Sequence, residues 1–332
     1  MTDAVLTVED LRVTVRSLGR ELEVLSDVGF ELRPRQTLGL VGESGSGKSM
    51  TAYALMGLLP RSARVTHGRV MLGDVDLLQL NRSQLSDVRG REVGMIYQEA
   101  RRSLNPAFTV GDQIAEVVRR HQGASRREAR RRAVELLEMV RIPRAGERVD
   151  DYPHMFSGGM CQRVMLAVAL ACQPKVLIAD EPTTALDVTV QASVLSLLHD
   201  LKDELGMALL LITHDLGVVA DICDDVAVMY AGRVVERSPA TDLFSRPRHP
   251  YTEGLLGAIP NLLAPTERFV SIPGNVPPLD QMPEGCRFAP RCPYAQPRCT
   301  TEQPPVVFGD AVHGSACLRA DELELEGVAV RG

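Results

Sequence analysis

Short uninterrupted apolar runs and longer stretches of helical spacing alternate along most of this chain. The runs Leu22–Leu25, Thr37–Val41 and Val93–Tyr97 predict strands, with a helix over Met50–Leu58 between the second and third. Residues 105–150 read as helical; Ser125–Val140 sets Leu136, Leu137 and Val140 on one face. An apolar helix over Val164–Cys172 then leads to the strand Val176–Ala179. A helix over Val190–Leu205 follows, then the strands Ala208–Ile212 and Val226–Tyr230. Buried apolar strands alternating with helices predict an α/β fold around a largely parallel sheet. Beyond Leu256 no period persists and prolines become dense, which marks a boundary near 240–260 and a small loop-rich tail.

Composition narrows this little. The 332 residues are 45% hydrophobic and 24% charged, the balance of a globular protein with a core. The net charge of −6 argues against a nucleic-acid partner. The first residues lack the apolar core of an export signal, and no apolar run approaches the roughly 18 residues of a membrane span. Arginines 126, 127, 130, 131 and 132 read as a solvated helix face.

The chemistry begins at Gly42-Glu43-Ser44-Gly45-Ser46-Gly47-Lys48-Ser49, a G-x-x-x-x-G-K-[ST] motif between a strand and a helix. The glycines let backbone N–H groups turn inward around phosphate oxygens, and the helix N-terminus adds the positive end of its dipole. Lys48 then reaches the β and γ phosphates, and the Ser49 hydroxyl ligates Mg²⁺. The strand Val176–Ala179 ends in Asp180-Glu181. The aspartate is placed to hold Mg²⁺ through water and the glutamate to polarise an attacking water. His214 stands at a third strand end, within reach of a γ-phosphate.

In this order the segments resemble the nucleotide-binding subunit of an ABC transporter. Gly42–Ser49 resembles Walker A, with Met50 behind it joining the ATP site. Gln98 resembles the Q-loop sensor of Mg²⁺ and γ-phosphate, and Ser157-Gly158-Gly159 the signature. Asp180-Glu181 resembles Walker B with its catalytic glutamate, Ala185-Leu186-Asp187 the D-loop, and Thr213-His214-Asp215 the switch histidine. The resemblance implies an ABC-type P-loop nucleotide-binding domain over 1–250, a RecA-like core with a β-subdomain and a helical subdomain at about 100–165. It further implies an ATPase whose signature closes over ATP on a second, related but distinct cassette. Signature residues read Phe156-Ser157-Gly158-Gly159-Met160, and Cys161 stands where arginine is usual, which puts a surface contact there in doubt. The adenine is usually stacked on an aromatic ahead of Walker A. Here that place falls near Val15 and Arg16, so Arg16 or an aliphatic surface covers the base; Phe30, the first aromatic, reads as buried.

Ser103-Leu104-Asn105-Pro106, Tyr152-Pro153-His154 and His249-Pro250-Tyr251-Thr252 look like the peptide-importer branch, which holds oligopeptide, dipeptide and nickel importers of bacteria. That implies two membrane permease subunits, docking near Gln98–Asn105, an extracytoplasmic substrate-binding protein, and a peripheral location on the cytoplasmic face of the plasma membrane. On the resemblance the imported solute is an oligopeptide or dipeptide, with nickel, a sugar or another solute as the alternative. A soluble ABC ATPase acting on ribosomes or DNA is the alternative, disfavoured by the single cassette and the acidic balance.

Cys286, Cys292, Cys299 and Cys317 crowd into residues 251–332. Four thiolates can enclose a tetrahedral Zn²⁺ or an iron–sulfur cluster, with His313 as a substitute for one ligand; the alternative is cysteines that are unligated or paired in disulfides. The absence of a C-x2-C pair disfavours a zinc ribbon. The resemblance implies a 4Fe–4S cluster in a peptide-importer C-terminal domain.

Overall fold

A computed structural model describes residues 4–17, 19–184, 186–258, 272–305 and 313–328. In chain order it opens with long antiparallel strands β1 (Leu6–Ser17) and β2 (Arg20–Leu32). The fully buried strand β3 (Thr37–Val41) runs into α1 (Lys48–Leu55), and β4 (Ala63–Leu72) turns back into β5 (Val75–Asp76). Next come α2 (Arg82–Val88), β6 (Val93–Ile96) and α3 (Ala100–Ser103). The helical stretch comprises α4 (Val110–Gln122), α5 (Arg126–Met139), α6 (Ala145–Arg148) and α7 (Gly158–Ala169). The α/β rhythm resumes with β7 (Val176–Asp180), α8 (Val188–Leu205), β8 (Ala208–Thr213), α9 (Leu216–Ile222) and β9 (Asp225–Tyr230). The chain closes through β10 (Arg233–Pro239), α10 (Ala240–Ser245), α11 (Pro250–Gly257), α12 (Pro297–Thr301) and β11 (Gly314–Ser315).

The chain divides into two compact units that interleave in sequence: Met1–Val5, Leu32–Gln36 and Gln79–Ile212 in one, and Leu6–Glu31, Thr37–Leu78 and Thr213–Gly332 in the other. In the first unit, β6, β7 and β8 pair in parallel, Val93 opposite Val176 and Val176 opposite Ala208. All residues of β7 and β8 are buried, as expected for parallel strands covered on both faces. Helix starts follow capping chemistry: Thr109 caps α4, and Ser125 with Glu128 forms a capping box on α5. The arginine face of α5 is mostly exposed, with Arg130 paired to Asp150.

In the second unit, β3 pairs in parallel with β9, and β9, β10 and β11 continue antiparallel. Separately, β1 pairs antiparallel with β4, Leu6 opposite Leu72 and Val15 opposite Ala63. A core of Val41, Val226, Val228, Tyr230, Tyr251, Phe244 and Phe288 joins β3 and β9 to the C-terminal elements. The tail is therefore packed on the strand that feeds the phosphate loop. Phe30 is buried in β2, as its strand position predicts. Sequence spacing missed β1, β4 and the strands beyond Tyr230, and it placed the start of α7 several residues late.

Candidate functional site

The phosphate loop lies in the second unit. Strand β3 delivers it and α1 begins at Lys48. Gly42 and Gly47 are required by close approach: a Cβ on Gly42 would meet the Met229 carbonyl oxygen at 2.1 Å, and one on Gly47, at φ +106, would meet Leu25 Cδ2 at 2.7 Å. The Lys48 ammonium curls over the loop, donating to the carbonyls of Gly42 at 2.7 Å and Glu43 at 3.0 Å. The Ser46 carbonyl accepts from the Gly232 N–H at 2.8 Å. Ser44 and Gly45 form the exposed crest, and Ser49 and Met50 are half-buried in the first turn of α1. Glu43 carries two partners from the tail, Tyr251 and Arg291, that motif reasoning did not foresee. Only Tyr251 had a signal, the His249–Thr252 segment. Arg16 is an exposed residue of β1 whose N–H donates to the Ser62 carbonyl, and Val15 beside it is half-buried. His214 is exposed just past β8, and Asp215 caps α9 with bonds from the Gly217 and Val218 N–H groups.

The first unit carries Asp180, Glu181, Gln98, the signature and Asp187. Asp180 ends β7 and is 1% exposed. Glu181 has φ +46, a left-handed conformation that costs a non-glycine residue about 1–3 kcal/mol. Its N–H donates to the Ile212 carbonyl at 2.9 Å. One carboxylate oxygen, Oε2, accepts from Gln98 Nε2 at 2.9 Å and from the Thr184 hydroxyl at 2.8 Å. The structure thus joins two predicted residues, Gln98 and Glu181, and adds Thr184.

Ser157 is the N-cap of α7, its hydroxyl accepting from the Met160 N–H, so Gly158 and Gly159 form the first turn with their amides at the helix end. A Cβ on Gly159 would meet Val190 Cγ1 at 2.4 Å, which fixes glycine where α7 starts against the first turn of α8. Asp187 caps α8 through the Val190 N–H at 3.0 Å; Ala185 of the D-loop lies outside the described residues. Cys161 is completely buried under the Pro153 carbonyl, and burial pushes its thiol up. The question of a surface contact at this position falls away, because the side chain is internal.

The four tail cysteines line one cavity together with His249 and Phe288. None of the chain's seven cysteines is in a disulfide. Among the described residues, no group of three or more His, Cys, Asp or Glu is set to hold a metal ion. Burial pushes the Cys292 thiol up to about 11 and raises Cys286 and Cys317 as well. His313 is drawn elsewhere, its Nε2 2.7 Å from the fully buried Glu236 carboxylate.

Residues 25–184 match the ABC transporter family, and residues 235–299 match the oligopeptide/dipeptide transporter C-terminal region. A putative peptide import ATP-binding protein of Brucella abortus is 52% identical over 303 residues, 91% of each chain. The oligopeptide transport ATP-binding protein OppD of Escherichia coli is 50% identical over 302 residues, 91% of this chain and 89% of that one. The dimeric structure of MJ0796, a bacterial ABC transporter cassette, superposes with a TM-score of 0.63 at 26% identity, over 71% of this chain and 98% of that one. CbiO1 of Clostridium perfringens gives 0.62 at 26%, over 73% and 91%. No helix among the described residues is long and apolar enough to cross a membrane. With half its residues shared along nine-tenths of its length, and both family regions in the expected order, the chain belongs to the ATP-binding proteins of ABC transporters, in the branch that carries the oligopeptide/dipeptide C-terminal region.

Proposed function

We propose that this chain hydrolyses ATP to drive import of oligopeptides or dipeptides through two membrane permease subunits fed by an extracytoplasmic binding protein. The observation that carries the chemistry is the clamp on Glu181. Two donors on Oε2 hold the carboxylate in one orientation, the condition for it to take a proton from an attacking water. The relatives named for peptide import and the matching C-terminal region support the solute class.

In this reading Gly42–Ser49 and Met50 cradle the phosphates, with Lys48 on the β and γ oxygens. Arg16 lies against the base and His214 against the γ-phosphate. Ser49, Gln98 and Asp180 hold Mg²⁺, which neutralises the charge that develops on the phosphates. Ser157, Gly158 and Gly159 present amide N–H groups at the α7 terminus to ATP on a partner cassette, and Asp187 lies at that same face. The cassette acts at the cytoplasmic face of the plasma membrane. Residues 1–250 form the nucleotide-binding domain and 251–332 the branch-specific one.

A 4Fe–4S cluster would take its place at the cavity that the four tail cysteines line together. Cys286, Cys292, Cys299 and Cys317 would supply the thiolates, and the cluster would brace the loop-rich tail. Anaerobic preparation with iron and sulfide analysis tests this; an iron-free, colourless protein overturns it. For the whole reading, the chain is reconstituted with its permeases and binding protein in vesicles. ATP-dependent uptake of labelled peptide is expected, and its loss in Glu181→Gln with ATP binding retained. Undiminished hydrolysis in that variant would sink the assignment of Glu181.

A further inference from the structure

Three groups of Glu43 are held at once. Its N–H donates to the Tyr251 hydroxyl at 2.8 Å, and its carbonyl accepts from Lys48 Nζ at 3.0 Å. Its carboxylate receives a fork from Arg291, at 2.7 Å on Oε2 and 3.1 Å on Oε1. The Arg291 side chain is 5% exposed, donates through Nε to the Pro273 carbonyl at 2.9 Å, and lies 5.7 Å from the Tyr230 ring centre. A forked pair of this kind, with its guanidinium buried and its carboxylate half-buried, fixes direction as well as distance. One phosphate-loop amide is therefore aimed at the tail, and the residue that sets the position of Lys48 is anchored there.

A second tether reaches the far side of the loop. Arg287 donates to the Ala231 carbonyl and pairs with Glu23 at 3.0 Å, and the next residue, Gly232, gives its N–H to the Ser46 carbonyl. Arg287 and Arg291 both lie in the stretch that starts at Cys286 and ends at Cys292. Phe288, in the middle, lines the cysteine cavity and packs edge-on to Tyr230 at 5.2 Å and Tyr251 at 5.4 Å. Any displacement of this stretch moves both tethers.

We propose that Arg291 and Tyr251 are positioning residues for ATP, holding the phosphate loop through Glu43 and making its affinity depend on the state of the cysteine cavity. The inference rests on the reading that Gly42–Ser49 binds ATP phosphates. It adds a site of control that the loop's own motif does not contain.

The test titrates the full chain with Mg²⁺ and a fluorescent ATP analogue, following thermal unfolding alongside. Tyr251→Phe removes the acceptor of the Glu43 amide, and Arg291→Met removes the fork from its half-buried carboxylate. Each is expected to weaken ATP binding about five-fold or more. Arg291→Lys, which keeps charge but not the fork, should recover part of the loss. Cys292→Ser should weaken binding in the wild-type background and add little further in the Arg291→Met background, a non-additivity that separates coupling from general loosening. If Arg291→Met does not fold, Tyr251→Phe, which removes one oxygen atom, decides. Unchanged affinity in folded Tyr251→Phe and Arg291→Lys overturns the positioning role, and strictly additive losses overturn the coupling. A wild-type chain that fails to bind the analogue at all would instead overturn the ATP reading of the loop.

Discussion

At the residue scale, the strain at Glu181 and the two donors on its carboxylate belong together. A left-handed glutamate at a strand end persists only where its surroundings over-determine it. Its N–H on Ile212, with Gln98 and Thr184 on Oε2, supplies that constraint. Thr184→Ala removes one donor without touching the phosphate loop. Steady-state kinetics should show kcat reduced roughly ten-fold with little change in the KM for ATP, because orientation of the attacking water is lost and binding is not; an unchanged kcat would free Thr184 of this role. Cys161 makes a second prediction. Burial raises its thiol, so native protein treated with iodoacetamide at mildly alkaline pH should leave Cys161 unmodified, and unfolding should expose it to mass-spectrometric detection. Labelling of the native chain at Cys161 would contradict its burial. Residue identities such as Lys48, Asp180 and Ser157 were legible because each sits in a contiguous motif beside a strand or helix end. Arg291 was not, since its partner Glu43 lies 248 residues away and no local pattern marks a buried arginine.

At the element scale, the long strand β1 shows why alternation alone fell short. Leu6 and Val8 point inward, but so do Leu11 and Val13, so the phase slips by one residue in the middle of the strand. The cause is a bulge: the register with β4 shifts between Glu9 and Arg12, and Asp10 has φ +47. Opposite it, Gly68 sits at φ +105, where a Cβ would meet the Glu9 carbonyl oxygen at 2.6 Å and Leu11 Cα at 2.7 Å. Gly73 also has positive φ, +56, but faces open space. Gly68→Ala should therefore cost more than Gly73→Ala. The first combines backbone strain with a backbone clash, about 2–4 kcal/mol, and the second carries strain alone, about 1 kcal/mol. Denaturant unfolding of the two variants gives the order, and equal losses would mean that the bulge relaxes around the added methyl. By contrast, β3, β7 and β8 were legible from sequence because parallel strands buried on both faces read as unbroken apolar runs, which no phase slip can disguise.

At the scale of the whole molecule, one chain carries one phosphate loop and one signature, and the signature glycines form the first turn of α7. On the proposed reading each ATP is shared, so binding and hydrolysis separate between chains in a way a self-contained enzyme would not show. Ser157→Arg keeps the loop of its own chain but places a bulky cation where γ-phosphate oxygens of the partner's ATP would meet the helix end; the lost cap costs α7 only about 1 kcal/mol. The variant alone should bind ATP with wild-type affinity. Paired with a wild-type partner cassette, it should stop hydrolysis at the partner's loop while its own loop stays competent. Glu181→Gln, in turn, should accumulate an ATP-dependent complex with the partner that light scattering detects, because ATP bridges the two chains and is no longer consumed. If Ser157→Arg instead abolished ATP binding by the isolated chain, the signature would be serving its own loop. The division of labour between chains, and with it the head-to-tail pairing, would then have to be abandoned.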